Sequence, residues 1–308
     1  MGKRVDSLIY SISEGLELIK RYSNLNDVEE NLVGNFVNRK EDNKKSLDEI
    51  DNMFNNKMYG YGKGSVFYFL DNKVVGKINI VLEVVKELGT IYIHCLDVLE
   101  GLDNQEVIIK ELLDYAIAIA KDHKPNEILL GERNKNRLKV LEKFDLYSEY
   151  KSLRMYLEDR SKKENCFDLI PLSTENKLEY LSVYNDSFSD MPHGSYICID
   201  EVKEYIKNSN EENYYFMVSI NGINIGFMNC EIQNRQGLFD IGLCKDHRGK
   251  GYGKCLLETA IDFLNRKNAL KINLIVIETN SIAYDMYKKR GFKEESIISY
   301  WTKIKWAY

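Results

Sequence analysis

The sequence is poor in proline and in paired cysteines, and each shortage excludes a class of protein. Only 3 prolines and 19 glycines occur among 308 residues, which excludes collagen-like repeats and a long proline-rich linker. The 6 cysteines form no C-x-x-C pair and have no histidine at zinc-binding spacing. We therefore expect no metal site and a reducing, cytoplasmic compartment. No targeting segment is expected either, because Met1–Tyr10 lacks a long apolar core and Asp6 interrupts the myristoylation pattern after Gly2.

An excess of positive charge is also missing. Lysine and arginine total 43 against 48 aspartates and glutamates, a net charge of −5, so no nucleic-acid or membrane partner is expected. Hydrophobic residues make up 44% and charged residues 30%, as in globular proteins. The length favours two domains. The polar stretch Glu158–Asn165 predicts a linker, so we expect domains over 1–160 and 161–308.

Apolar periodicity predicts an alternation of strands and helices after the linker. The hairpin signal is strongest at Asn221-Gly222. The predicted elements are a strand at Phe167–Leu172, helices within Glu175–Asn208 that break at Met191–Gly194, a hairpin of Tyr214–Ile220 with Ile223–Glu231, a strand at Leu238–Leu243, a helix at Lys254–Lys267, a strand at Ile272–Ile277, a helix at Ser281–Arg290 and a strand at Tyr300–Ile304.

The first half repeats this plan in weaker form, which predicts an internal duplication. Phe67–Leu70, a turn at Asn72-Lys73 and the following Val74 parallel the hairpin of the second half. Leu112–Ile117 and Ile128–Leu130 parallel the later helix and strand in the same way. Residues Asn24–Asn56 are polar and helix-prone, and we expect them to be an insertion without an equivalent of that length in the second half.

The most informative segment joins an apolar strand directly to an amphipathic helix through three glycines. It runs Leu243-Cys-Lys-Asp-His-Arg248-Gly-Lys-Gly251-Tyr-Gly253-Lys254. Glycine permits positive φ and close approach, so backbone N–H groups can converge on an anion at the positive end of the helix dipole. The Walker and Gly-x-Gly-x-x-Gly patterns are both absent. The residues therefore predict a pyrophosphate-binding turn, to which Arg248, Lys250 and Lys254 add positive charge.

Arg248-x-x-Gly251-x-Gly253 resembles the acyl-CoA loop of the GNAT superfamily of N-acetyltransferases. A second motif, Asn280-x-x-Ala283-x-x-Met286-Tyr287-x-x-x-Gly291-Phe292, resembles that superfamily's carboxy-terminal helix. The likeness is strong over residues 166–308, whereas over residues 60–157 only the outline of strands and helices is similar. It gives a tandem layout similar to the mycothiol synthase type, a similarity of layout and not of substrate.

The resemblance implies an α+β fold with two tandem GNAT-like domains. Each would be a twisted, mostly antiparallel sheet flanked by helices, with two central strands splayed apart to admit the pantetheine arm of acetyl-CoA. Leu243 would lie at the splay, and Tyr287 would protonate the departing thiolate, although plain helix packing is the alternative for that side chain. The cofactor-binding residues it implies are Ile241, Gly242, Leu243, Arg248, Gly249, Lys250, Gly251, Tyr252, Gly253, Lys254, Asn280 and Tyr287.

The general base is harder to assign. An amine with a pKa of about 10.4 must lose a proton before it attacks a thioester, so a base or a water chain is needed. Many superfamily members have a glutamate at the position that Gly237 occupies here. Asp240 is the nearest acidic substitute, although a surface or ion-paired aspartate is the alternative. Glu231, Glu278, a base acting through water and no dedicated base all remain open.

Acidic residues in the broken helical region suit a cationic acceptor. By the resemblance, Asp186, Asp190 and His193 would line the roof of the acceptor site, with an ordinary solvated loop as the alternative. The first half lacks the equivalent chemistry. Val107 and Ile109 stand where the second half has Gly251 and Gly253, and Leu141 and Asp145 stand where it has Tyr287 and Gly291. We therefore expect a non-catalytic first domain that packs against the second.

The sequence thus predicts transfer of an acetyl group from acetyl-CoA to a primary amine of a small molecule or peptide, by direct attack in a ternary complex. The alternative, from another class, is a non-catalytic acyl-CoA sensor or interaction protein. A longer acyl donor also stays open, because the pyrophosphate-binding turn would contact a part of the cofactor that all acyl-CoAs share. We expect a monomer whose two domains pack as a pseudo-dimer.

Overall fold

The computed structural model describes residues 19–158, 161 and 167–306. Most of the expected linker, Glu158–Asn165, lies outside the described residues, as do Cys166 and the Met1–Tyr10 segment. None of the helices in the described part of the chain has the length and apolar composition that a membrane crossing requires.

Strands and helices alternate along the described chain. The strands are β1 (Ile19–Arg21), β2 (Ser65–Leu70), β3 (Lys73–Val81), β4 (Thr90–Val98), β5 (Glu127–Glu132), β6 (Tyr150–Leu157), β7 (Asp168–Pro171), β8 (Asn213–Ile220), β9 (Ile223–Gln233), β10 (Gln236–Leu243), β11 (Lys271–Ile277) and β12 (Phe292–Lys303). The α-helices are α1 (Asp27–Asn38), α2 (Leu47–Phe54), α3 (Val85–Leu88), α4 (Gln105–Asp122), α5 (Lys135–Glu142), α6 (Lys177–Phe188), α7 (Ile199–Asn208), α8 (Tyr252–Arg266) and α9 (Ser281–Arg290).

These elements form two compact units. Among the described residues, the first unit takes 19–80 and Leu96–Ile119, and the second takes Val81–Cys95 and everything from Ala120 onward. The divisions fall inside β3, β4 and α4 and not at the interval 158–165. The boundary that we expect between residues 160 and 161 stays a prediction.

The first unit is built around a cluster of aromatic side chains. Its strands β1, β2 and β3 pair antiparallel in that order. Tyr22, Phe67 and Phe54 of α2 pack ring against ring, with centroids 5.1–6.0 Å apart, and α1 contributes Val33 and Phe36 to the same core. Both helices begin at capping boxes, Asn26 with Glu29 and Ser46 with Glu49, which satisfy amide groups that a helix start leaves unpaired.

The second unit contains a sheet in the order β4-β5-β12-β6-β11-β10-β9-β8-β7. The pairs β4–β5 and β10–β11 are parallel, and the other neighbours are antiparallel. A mostly antiparallel sheet with flanking helices is the fold class that the sequence predicts, and that prediction is confirmed.

Strands β6 and β12 lie between β5 and β11, so the last strand of each half pairs with a strand of the other half. Trp301 on β12 donates its indole N–H to Ser152 Oγ on β6 at 2.7 Å. Its ring also covers Gly131 on β5, where an added Cβ would stand only 2.8 Å from ring carbons. A side chain at position 131 would therefore displace the indole. This interleaving ties the two halves together within the second unit.

Helices cover both faces of β8–β10. One face packs on α8 and α9 in a core that includes Phe239, Leu257 and Phe292. The other packs on α6 and α7, whose core includes Tyr184 and Phe227. Because successive residues of a strand face opposite sides, Phe239 and Ile241 belong to the α8 face, whereas Asp240 and Gly242 belong to the α6 face.

The predicted elements after the linker correspond to β7 to β12 and α6 to α9, and α9 has the bounds predicted for it. The last strand is the exception, because β12 begins at Phe292 and not at the predicted Tyr300. The expectation that Asn24–Asn56 is an insertion is wrong. That segment forms α1 and α2 between β1 and β2, just as α6 and α7 lie between β7 and β8. Polar composition hid this equivalence, because both helices bury only a narrow apolar stripe.

Candidate active site

The centre of the candidate site is the point where two neighbouring strands separate. β10 pairs with β11 only over Gln236–Leu238, whereas it pairs with β9 as far as Leu243. The Cys244 N–H donates to Ile225 O on the β9 side at 2.9 Å. Because backbone groups alternate in direction along a strand, those of Ile241 and Leu243 point into the gap beside β11. Their N–H and C=O groups therefore line an opening in the sheet.

A glycine turn follows this opening and begins α8. Gly249 and Gly251 have φ values of +75° and +85°, in the left-handed region that favours glycine. An added Cβ at either glycine would meet nothing within 4 Å, so the turn is open on its outer side. Gly251 is the N-cap of α8 and supplies no side-chain cap to the first amides of the 15-residue helix. Backbone N–H groups and the exposed Lys250 and Lys254 thus fit an anionic group such as pyrophosphate.

Arg248 is engaged within the protein and does not reach out from the turn. Its Nε donates to Leu243 O at 3.0 Å, and its Nη2 donates to Ser187 O at 3.0 Å. Both Nη atoms also donate to the two carboxylate oxygens of Asp190 at 2.9 Å. The guanidinium therefore joins the end of β10 to the end of α6.

The structure does not bring Asp186, Asp190 and His193 together. Asp186 Oδ2 accepts the Lys245 N–H at 2.9 Å, and Asp190 is occupied by Arg248, whose charge and hydrogen bond lower the pKa of that carboxyl. His193 lies in a separate pocket. The two aspartates thus hold the turn before α8 against α6.

His193 occupies an aromatic pocket formed by β4, β6 and β12. Its Nε2 is 2.8 Å from the Tyr150 hydroxyl, and its ring lies 4.2 Å from the Trp301 ring and 5.3 Å from the Tyr92 ring. Burial lowers the pKa of His193 from 6.5 to about 4, and the nearby Glu127 charge opposes that shift. Burial likewise raises the pKa of Tyr150 to about 12. Sequence reasoning missed this pocket, because its walls come from strands far apart in the chain.

Tyr287 lies on α9 with its ring buried against Phe292, 5.8 Å between centroids. The residue is 8% exposed, and its hydroxyl has no hydrogen-bond partner among the described residues. Burial raises the pKa of Tyr287, and the nearby charge of Asp240 raises it further. The hydroxyl therefore keeps its proton at neutral pH and is free to donate it.

Asp240 lies on β10 opposite Asn229, on the α6 face of the sheet. The residue is exposed to solvent on that face. Partial desolvation by the surrounding protein raises the pKa of Asp240, and the charge of Glu231 adds to the effect. Within the described residues its carboxylate has no hydrogen bond or ion pair. The charge of Asp240 acts on Tyr287 although Tyr287 packs on the opposite face of the sheet.

The missing glutamate at position 237 has a steric cause. A Cβ added to Gly237 would lie 2.9 Å from a methyl carbon of Leu264 and 3.3 Å from the Ala269 side chain. A side chain there would point into the α8 core and away from Asp240. Of the other candidate bases, Glu278 Oε2 accepts the Lys151 N–H at 3.1 Å, and Glu231 faces the same side as Asp240.

The remaining predicted cofactor residues surround the gap. Asn280 begins α9, where its Oδ1 accepts the Ala283 N–H at 3.3 Å, and its Nδ2 has no partner among the described residues. The Tyr252 ring packs on Phe167, 5.9 Å between centroids, so its backbone is what faces the turn. At Gly242 a Cβ would stand 2.6 Å from the Phe227 ring and 3.1 Å from Ser187 Cβ. Glycine is needed there for α6 to approach.

In the first half, an ordinary helix takes the place of the glycine turn. Val107, which matches Gly251, lies in the first turn of α4 and is 55% exposed. Leu141, which matches Tyr287, is fully buried on α5. Asn134 still caps α5, as Asn280 caps α9, with its Oδ1 accepting the Asn136 N–H at 2.9 Å. The first half therefore keeps the asparagine that caps the helix, whereas Val107 and Leu141 stand in place of Gly251 and Tyr287.

Comparison with known proteins agrees with this geometry. Residues 179–292 match the model of the acetyltransferase (GNAT) family. That segment contains the separated strands, the glycine turn and α9, so the match falls on the residues that form the candidate site. The resemblance seen in the two motifs is thereby confirmed.

Two curated relatives match about a third of the chain. One is an uncharacterized N-acetyltransferase of Methanocaldococcus jannaschii, 28% identical over 30% of this chain and 45% of its own length. The other is the [ribosomal protein bS18]-alanine N-acetyltransferase of Escherichia coli K12, 29% identical over 31% of this chain and 65% of its own length. The chain therefore spans between about half and two thirds of these relatives.

The whole chain resembles a solved tandem structure. A tandem GNAT protein from the clavulanic acid biosynthesis pathway is 12% identical and has a TM-score of 0.55 over 89% of this chain and 94% of its own. At that identity the likeness concerns the fold alone. It supports the tandem arrangement that the internal repeat predicts.

The His193 pocket predicts a pH dependence of stability. The pKa of His193 is 6.5 in the unfolded chain and about 4 in the folded protein, so between these values the unfolded chain binds more protons. The contribution of neutral His193 is complete above pH 6.5 and declines as the pH falls toward 4. We expect His193→Gln to show a shallower loss of thermal stability over this range than the wild type. The exposed His123→Gln is the control, and parallel curves for wild type and His193→Gln would contradict the assignment.

Proposed function

We propose that this protein transfers an acetyl group from acetyl-CoA to a primary amine of a small molecule or a peptide. The observation that carries the proposal is the pairing of a gap between β10 and β11 with an open glycine turn at the start of α8. The gap suits an extended arm with amide groups, and the turn suits a pyrophosphate. The GNAT match over residues 179–292 supports the same assignment.

In this proposal the backbone does most of the binding. Acetyl-CoA supplies the activated thioester. Backbone groups of Ile241 and Leu243 pair with the pantetheine amides, and an N–H in the gap faces the thioester carbonyl, where negative charge develops as the amine attacks. Amides of Gly249 to Lys254 hold the pyrophosphate, with Lys250 and Lys254 adding charge. Asn280 donates its free amide to the cofactor arm.

Asp240 and Tyr287 are the proposed proton-transfer groups. Asp240 has no partner among the described residues and lies on the α6 face, from which the amine approaches in this proposal. It accepts the proton of the ammonium, and its raised pKa brings it closer to the pH range in which a base works well. Tyr287 lies on the α9 side and gives its proton to the departing thiolate. The separated strands let both groups reach one thioester from opposite faces.

The acceptor class rests on the charge of this face of the sheet. Asp240 and Glu231 both lie on it, Asp240 near Tyr184 of α6 and Glu231 near Tyr215 of β8. That setting favours a cationic amine over an anionic one. The bS18 alanine N-acetyltransferase acts on a protein alanine, and by analogy a peptide amino terminus is one acceptor to test. Cytoplasmic placement and a monomeric state stay predictions.

A second function, binding of acyl-CoA without turnover, is favoured by Gly237. The usual glutamate is absent, and the packing of Leu264 leaves no space for one. Such a protein would use the same gap and turn but would leave the thioester intact.

The first experiment measures thiol release from acetyl-CoA across amines, polyamines, aminoglycosides, amino acids and short peptides, with calorimetric binding of CoA to the same sample. We expect CoA binding and release with one acceptor class. Binding without release from any acceptor would favour the binding-only function. Absence of CoA binding would contradict both.

Tyr287→Phe tests the proposed acid. Removal of the hydroxyl should lower kcat by about 10- to 100-fold and leave the Kd for CoA within about twofold, because the buried ring is retained. Tyr284→Phe on the same helix is the control, since its hydroxyl bonds Glu294 outside the gap. Unchanged turnover in Tyr287→Phe would remove this residue as the acid.

Asp240→Asn tests the proposed base through the pH profile of kcat/KM. The raised pKa of Asp240 places the acidic limb above the range of an ordinary aspartate, and the asparagine variant should lose that limb together with about 100-fold of the rate. Glu231→Gln should instead move the limb to lower pH, because the Glu231 charge helps to raise the pKa. An unaltered acidic limb in Asp240→Asn would exclude Asp240 as the base.

A further inference from the structure

We infer that Arg248 and Asp190 form a positioning pair that holds the phosphate turn in shape, and that Arg248 is not itself a phosphate ligand. The inference rests on the proposed function, since it concerns how the same turn binds the pyrophosphate of CoA. It assigns a role to Asp190, which the sequence places at the acceptor site, and changes the role expected of Arg248.

The geometry of the guanidinium carries the first step. Arg248 donates to Leu243 O at the end of β10 and to Ser187 O near the end of α6, each at 3.0 Å. Its Nη1 and Nη2 donate to Asp190 Oδ2 and Oδ1, both at 2.9 Å, in the two-pronged arrangement that fixes an arginine most firmly. All three guanidinium nitrogens are therefore used inside the protein.

The second step concerns the cost of ordering the turn. Arg248 immediately precedes Gly249, and the left-handed Gly249 and Gly251 are the residues that lose most conformational freedom when the turn is fixed. The N-cap of α8 has no side-chain hydrogen bond to order it. Arg248 holds the chain at the entrance to this glycine segment. The pair thus keeps the backbone amides in position before an anion arrives, which lowers the entropic cost of binding.

A second contact holds the same turn to α6. Asp186 Oδ2 accepts the Lys245 N–H at 2.9 Å, and Lys245 begins the short turn that leads to Arg248. Two aspartates near the end of α6 therefore bind the segment between β10 and α8. Their position explains why neither is available to an acceptor amine.

The two roles of Arg248 predict opposite effects of Asp190→Asn. If Arg248 were a phosphate ligand restrained by Asp190, loss of the carboxylate charge would release the guanidinium and would leave CoA binding unchanged or make it tighter. If the pair positions the turn, the same change loosens the turn and weakens CoA binding.

The test measures the Kd for CoA by calorimetry in the full chain, for wild type, Asp190→Asn, Arg248→Gln and the double variant. Competition with CoA gives the constant for pantetheine, which has the arm but no pyrophosphate. Asp262→Asn is the matched control, because Asp262 pairs with Arg266 at 3.1 Å on α8, away from the turn. Thermal midpoints of all variants report on folding.

We expect each single variant to raise the Kd for CoA about 10-fold and the double variant to raise it no further than the larger single effect, as for residues that act as a unit. Pantetheine binding and the Asp262→Asn variant should stay within about twofold of the wild type. Asp190→Asn that binds CoA as tightly as the wild type, or more tightly, would overturn the inference even if its thermal midpoint falls. Additive losses in the double variant would overturn it as well. Wild-type protein that binds no CoA would instead overturn the proposed function, and the inference with it.

Discussion

The separation of β10 from β11 after Leu238 is the constraint on which the rest of the site depends. A strand inside a sheet normally pairs on both sides, and unpaired buried backbone groups are costly. Here β10 keeps its full pairing with β9 and loses that with β11, so backbone groups beyond Leu238 face the gap, where Leu243 O accepts the Arg248 Nε–H. In the proposed function, the amide groups of an extended ligand pair with the others. The same opening exposes Asp240 from one face and lets it influence Tyr287 on the other.

Such a gap persists only if both of its edges are held. β11 is held by β6, which pairs with it from Ile272 to Ile277 and is in turn covered by β12. β10 is held by β9 and, at its end, by the Arg248 guanidinium that reaches Leu243 O and α6. The interleaving of β6 and β12 is thus more than a means of joining two halves. It gives the outer edge of the gap a rigid support that a single half of the chain does not supply.

The parts of this site that depend on neighbouring residues were predictable from the sequence. The parts that depend on contacts between residues far apart in the chain were not. The glycine turn and the bounds of α9 follow from neighbouring residues, because Gly251 and Asn280 determine how their helices begin, although α8 starts two residues before the predicted Lys254. The partners of Arg248 and His193 lie 58 and 43 residues away, across strands whose order no local pattern reveals. The family resemblance placed Asp186 and Asp190 at the acceptor site, and their charge suited a cationic amine. Only the fold shows that backbone and guanidinium groups already occupy them.

The two halves of the chain share packing features but differ in the residues of the candidate site. The first half retains a parallel pair that stops early, since β4 and β5 pair only over Thr90–Ile93, and it retains an asparagine cap at Asn134. It has Val107 where the second half has Gly251, and a fully buried Leu141 in place of Tyr287. The first half thus keeps part of the frame of the site, and its lack of a catalytic role stays a prediction. Its strands β5 and β6 still serve the other half, because they pair with β12 and β11 and support the edge of the gap.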